Sequence, residues 1–163
     1  MARPHGVAYI AGMTSETTPL VAASADHLER DIAVASRRPV PVLITAPPGG
    51  ADTIVRAIAA RAGTPAIDTC DVAAGDNVLT AFAKHDAAGA AGRSAILWIK
   101  DVHLLKPFHQ AALGTLLSER AGAWHPAHRI VASTTVDLFE RIGLKAFDRR
   151  LFYRLNTIHI VAG

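Results

Sequence analysis

From Pro41 to the end of the chain, short apolar runs alternate with longer stretches of helical period. This alternation limits the possible folds more than any other feature. The runs are Val42–Thr45, Ala66–Thr69, Ala95–Ile99, Arg129–Ser133 and Thr157–Val161, rich in Val, Ile, Ala and Thr. Helices are expected between them at Asp52–Ala62, Asn77–Ala87, Pro107–Arg120 and Val136–Ile142, with a shorter one at Phe147–Arg154. Strands separated by helices predict a parallel sheet covered on both faces. Runs so continuously apolar do not suit a sheet with one wet face. Within Pro107–Arg120, Phe108, Ala112 and Leu116 recur at i, i+4, as do Leu113 and Leu117, which predicts a core-facing stripe.

Upstream, "SADHLERDIAVASRR" predicts a helix capped by Ser24 or Asp26, with Leu28, Ile32 and Ala35 on one face. Pro39 and Pro41 stop it. Residues 1–24 have no sustained period and read as a lead-in segment with a strand at Val7–Ile10. Residues 25–163 then form a single α/β domain, a size that buries a real core. Residues Asp86–Ser94, "DAAGAAGRS", read as a flexible connector.

Composition excludes several classes. Half the residues are hydrophobic and 19% are charged, which is globular rather than disordered. No apolar run approaches the ~18–20 residues of a membrane span, and "MARPHGVAYIAGM" is too short in its apolar part for a signal peptide. A single cysteine, Cys70, allows no internal disulfide and fits a cytoplasmic protein; it reads as a small buried residue. The net charge of +3 is dispersed; its densest group is Arg141, Lys145, Arg149, Arg150 and Arg154. That group reads as a solvated or partner-facing surface, and DNA binding by this chain is not expected. His125 and His128 lack Cys or acidic partners in sequence, so no metal is expected. His103 and His109 read as surface residues and Trp98 as core packing.

The stretch "VLITAPPGGADT", Val42 to Thr53, places a turn with two glycines between a strand and a helix. Such a turn presents backbone N–H groups to an anion. "APPGGADT" lies close to the GPPGTGKT form of the phosphate-binding P-loop. Pro47, Pro48, Gly49 and Thr53 fit it, whereas Ala46, Ala51 and Asp52 do not. "AILWIKDVHLL" (Ala95–Leu105) has the layout of a Walker B strand, with Lys100-Asp101 where Asp-Glu is usual.

Together with "IDTCDVAAGD" (Ile67–Asp76), "KPFHQAALGTLLSER" (Lys106–Arg120), "HRIVASTTVDL" (His128–Leu138) and "FDRRLFYRLNTIHI" (Phe147–Ile160), these segments resemble the AAA+ domain of sigma-54-dependent transcription activators. The likeness covers nearly the whole chain from Val7, and "LFYRLNTI" is its most specific part. It implies a three-layer P-loop NTPase sandwich with five parallel strands in the order 5-1-4-3-2 and no helical lid domain in this chain. It also implies a nucleotide pocket at Pro48, Gly49, Gly50, Ala51, Asp52, Thr53, Lys100, Asp101 and Thr135, with Arg154 as an arginine acting in trans on a neighbouring subunit.

The departures from that family fall on its chemistry. Asp52 stands at the Walker A lysine, Lys100 at the Walker B aspartate and Asp101 at the catalytic glutamate. Thr135 stands at the sensor asparagine and Asp148 at the first of two arginines. Between Asp76 and Ala95 there is no room for the insertion carrying the GAFTGA loop. Through that loop, therefore, no direct sigma-54 contact is expected. A carboxylate about 4 Å from a phosphate costs roughly 4 kcal/mol at an effective dielectric of ~20. Micromolar affinity is about 8 kcal/mol in all. The pocket is therefore read as vestigial, with no cofactor, no catalytic residue and an Asp52–Lys100 ion pair filling it. The implied role is a catalytically degenerate regulatory or interaction module in bacterial transcription control, working through a protein partner or an oligomer. The alternative is an ATPase domain of a sigma-54-type regulator that still binds ATP and Mg²⁺.

Overall fold

The computed structural model describes residues 24–64, 66–123 and 125–163, so the strand expected at Val7–Ile10 lies outside it. Residues 24–37 form helix α1. There follow β1 (Val42–Thr45), α2 (Gly50–Arg61), β2 (Ala66–Asp71), α3 (Val78–Ala90), β3 (Ala95–Lys100), α4 (Pro107–Glu119), β4 (Arg129–Thr134), α5 (Leu138–Gly143), α6 (Arg149–Leu155) and β5 (Ile158–Val161). All five strands run parallel in the order β2-β3-β4-β1-β5, the expected order read from the other edge.

Side-chain alternation along the strands builds the three layers. Leu43, Leu97, Ile99, Ile130 and Ala132 point to one face and pack with Val78, Phe82, Leu113, Leu117, Leu151 and Leu155 of α3, α4 and α6. Val42, Ile44, Ile96, Trp98 and Val131 point to the other and pack with Ile32, Ala35, Ile54, Val55 and Ile58 of α1 and α2.

Local chemistry sets the helix ends. The Asn77 side chain accepts hydrogen bonds from the N–H groups of Leu79 and Thr80, at 3.0 and 3.1 Å, and starts α3. Asp137 caps α5 and Asp148 caps α6 in the same way. Pro107 occupies the first turn of α4, where its missing N–H costs nothing. Arg129 is buried at the start of β4 and donates to the carbonyls of Ala35, Ser36 and Arg38, which ties the end of α1 to the sheet.

Two expectations are corrected. The stretch Asp86–Ser94 is not a connector throughout, because α3 continues to Ala90 and leaves four residues to reach β3. Its alanines favour helix, which outweighs the glycine at Gly89. The stripe on α4 is also rotated. Leu113 and Leu117 are buried together with Gln110 and Gly114, whereas Phe108 is 73% exposed. Phe108 lies in the first turn, before α4 meets its neighbours.

Candidate functional site

A cleft of about 550 Å³ opens at the carboxyl ends of β1, β3 and β4, where open parallel sheets bind ligands. The loop after β1 supplies Ala46, Pro47, Pro48 and Gly49, and the first turn of α2 supplies Ala51 and Asp52. From β3 and β4 come Trp98, Lys100, Asp101, Ser133, Thr134 and Thr135. Seven of the nine expected pocket residues therefore line it: Pro48, Gly49, Ala51, Asp52, Lys100, Asp101 and Thr135. Gly50 closes the turn behind it, and Thr53 is exposed on α2.

The loop is a closed turn rather than an open ring of donors. Pro48 and Gly49 occupy its central positions, and Gly49 has φ 81° and ψ −13°, the signature of a type II turn. The Gly50 N–H donates to the Pro47 carbonyl at 2.8 Å, so it does not face the cleft. The Gly49 backbone conformation strongly favours glycine.

The expected ion pair between Asp52 and Lys100 does not form. The Asp52 carboxylate accepts from Arg56 Nε at 2.8 Å, one turn along α2. Helical spacing brings i and i+4 side chains together without any ordering cost from tertiary structure. Lys100 Nζ lies 3.7 Å from Asp71 Oδ2, its register partner on β2, and 5.3 Å from the centre of the Trp98 ring. Each charge has been neutralised by its nearest neighbour on its own element or the adjacent strand.

Trp98 forms part of the cleft wall as well as the core. Its side chain is 7% exposed, and its indole N–H donates to Ser133 Oγ at 2.9 Å. Period two along β3 puts Ile96, Trp98 and Lys100 on one face, which was the available signal for this role. Asp101 has a left-handed backbone, φ 54°, which aspartate tolerates better than most side chains. It opens a short 3₁₀ turn from which His103 reaches Thr134: Nδ1 and Oγ1 are 3.0 Å apart. His103 is thus half-buried behind the cleft rather than on the surface, and burial lowers its pKa, partly offset by Asp101.

The remaining candidates lie elsewhere. Arg154 Nε donates to Ser118 Oγ of α4 at 3.0 Å, outside the cleft. Asp148 has its carboxylate on the N-terminus of α6. Cys70 is buried, and its thiol is pushed up to about 11 by burial and then by Asp76 and Asp71, which leaves no thiolate nucleophile at neutral pH. His128 Nε2 lies 3.5 Å from Asp86, but no group of three or more His, Cys, Asp or Glu placed for a metal occurs among the described residues. None of the described helices is long and apolar enough to cross a membrane.

The family model for the sigma-54 interaction domain matches residues 21–161. No curated protein matches the chain. Among solved structures, NtrX from Brucella abortus in complex with ATP superposes with a TM-score of 0.62 at 19% identity, covering 95% of this chain and 43% of that one. The chain thus spans under half the length of that relative. The P-loop NTPase domain of a sigma-54 transport activator from E. coli gives a TM-score of 0.60 at 16% identity, covering 84% of this chain and 94% of that one. The RuvB Holliday junction branch migration motor of Thermotoga maritima gives 0.56 at 18%, covering 86% and 44%. At these identities the likeness is one of fold.

Proposed function

The chain belongs to the sigma-54 interaction domain family, and from that premise we propose that it is a catalytically degenerate member, a regulatory or interaction module in bacterial transcription control. The observation that carries this reading is the state of the two charges in the cleft. Asp52 stands where the loop would need a cation, and Lys100 stands where a Mg²⁺ shell would need an acid. Neither is compensated by the other, because each is paired outside the phosphate position. The closed Pro47–Gly50 turn supports the same reading, since one N–H that could hold phosphate is already bonded. The link of four residues between α3 and β3 supports the absence of a sigma-54-contacting loop there.

An interaction role draws support from exposed apolar side chains around α5 and α6. Phe139, Leu144 and Tyr153 are 66%, 75% and 61% exposed. Such a patch suits a protein partner or a second copy of the chain.

A second reading retains nucleotide binding. It is favoured by the persistence of the cleft itself, with the Lys100 ammonium inside it, and by the bound ATP of the NtrX relative. Melting curves at millimolar ATP, with and without Mg²⁺, separate the two. The degenerate reading expects no shift; a saturable rise in Tm refutes it and supports an ATP-binding domain.

A further inference from the structure

Helix phase gives α6 an outward face of one character. Leu151, Phe152 and Leu155 turn into the core, which leaves Arg149, Arg150, Tyr153 and Arg154 exposed. Exposed Phe139 and Leu144 lie beside that face. Tyr153 and Phe139 both pack on Phe152, with ring centres 5.4 and 6.3 Å from it, so two exposed rings share one buried neighbour. Two clefts border the face. One, about 420 Å³, lies between α5, α6 and β5, with Leu138, Phe139, Phe152 and Tyr153 in its lining. The other, about 330 Å³, lies where α4 and α6 begin and has Lys145 and Arg149 in its lining.

Charge on this face is unbalanced. Arg141, Lys145, Arg149, Arg150 and Arg154 stand against the carboxylates of Asp137, Glu140 and Asp148. Asp137 and Asp148 are already bonded to the N–H groups of their own helices. Among the described residues none of the five cations forms an ion pair. Exposed rings alone would suit many occupants, but the unpaired cations narrow them. Arg and Tyr are the side chains that most often carry binding energy at protein interfaces, and guanidinium groups pair with carboxylates through two parallel hydrogen bonds.

We propose that the α5–α6 face docks an acidic segment of a partner protein. Apolar side chains of that segment enter the cleft beside Phe139 and Tyr153, and its carboxylates meet Lys145, Arg149 and Arg150. The proposal rests on the interaction role given above and adds the chemistry of the partner. Exposed Phe139 and Leu144 favour a peptide over nucleic acid, because a phosphate backbone leaves such side chains uncovered. A two-fold dimer through this face would set the same cations against each other, which disfavours a second copy.

The test is fluorescence anisotropy with the full chain and two labelled peptides at about 0.1 M salt. One repeats Glu-Glu-Leu-Leu and suits a bound helix; the other alternates Asp and Phe and suits a bound strand. Saturable binding of at least one, with Kd below about 1 mM, is expected. It should weaken about tenfold or more in the double variant Arg149→Glu, Arg150→Glu, and about threefold or more in Tyr153→Ser. Tyr153→Ser, at an exposed position, keeps the test open if the double variant does not fold. Arg37→Glu on α1, which packs on the opposite face of the sheet, should leave Kd unchanged. The proposal is overturned by no saturable binding of either peptide, or by equal affinity for peptides whose Leu or Phe are replaced by Ser. A short DNA duplex that binds more tightly and loses affinity in the same variants overturns it too. So does a dimer in sedimentation that Tyr153→Ser dissociates. The ATP melting curves test the degenerate reading separately, and none of these results alters their outcome.

Discussion

The layer of α4 and α6 and the cleft at the top of the sheet answer to different constraints. In the layer, Leu113, Leu117, Leu151 and Leu155 have no measurable exposure, and a Cβ on Gly114 would stand 3.7 Å from Leu151. Even its polar member is fully used: Gln110 donates to the Leu105 carbonyl at 2.7 Å and accepts from the Asp148 N–H at 2.7 Å. In the cleft, Asp52 and Lys100 are partly exposed, with side chains 45% and 37% accessible, and each is paired locally. Close packing makes every volume in the layer matter, whereas partly exposed ion pairs contribute little to stability. The layer therefore constrains its residues by volume far more tightly than the cleft constrains its charges.

The most direct way to break this comparison is Leu113→Ala. It should cost about 2–5 kcal/mol in urea unfolding, from lost burial and a residual cavity. A loss no larger than that of a cleft substitution would sink the contrast. Next comes the exchange of Asp52→Lys with Lys100→Asp. If those two charges alone block nucleotide, the double variant at ATP 100-fold above its Kd should gain about 2.7 kcal/mol of apparent stability, read as a rise in Tm, while the natural chain gains none.

Arg129→Met should cost about 1–3 kcal/mol, because three carbonyls at the end of α1 lose their donor. Hydrogen exchange should then rise in residues 24–37 before it rises in the sheet. Cys70 gives a smaller, pH-dependent effect. Its thiol ionises near 9.0 when unfolded and about 11 when folded. The stabilisation is complete below pH 9 and is lost as pH rises towards 11. Cys70→Ala should flatten that decline in a melting series. Smallest of all, Asp52→Asn should change stability by about 0.5 kcal/mol or less, since it removes one exposed i, i+4 pair.

The alternation of apolar runs with helical stretches was enough for the sheet, its layers and most element boundaries within two residues or so. Family likeness supplied the strand order, which periodicity alone does not contain. The misplacements have local causes. Phe108 carries the right spacing for the stripe but sits in a first turn that no described residue covers. Asp86–Ala90 look like a linker because of Gly89, yet their alanines continue α3. His103 follows a polar stretch, and only the turn at Asp101 carries it back under Thr134.

The sequence by itself determined where strands and helices form, because side-chain period and capping chemistry act over a few neighbouring residues. It also determined which residue types occupy the cleft. Only the tertiary structure decided how they pair across elements. Asp52 takes Arg56, which its own helix already supplies, but Lys100 meets Asp71 across the sheet instead of Asp52. Coulomb attraction falls with distance and competes with the cost of ordering side chains. Which opposite charge lies nearest Lys100 depends on strand register, and this exists only once the sheet has assembled.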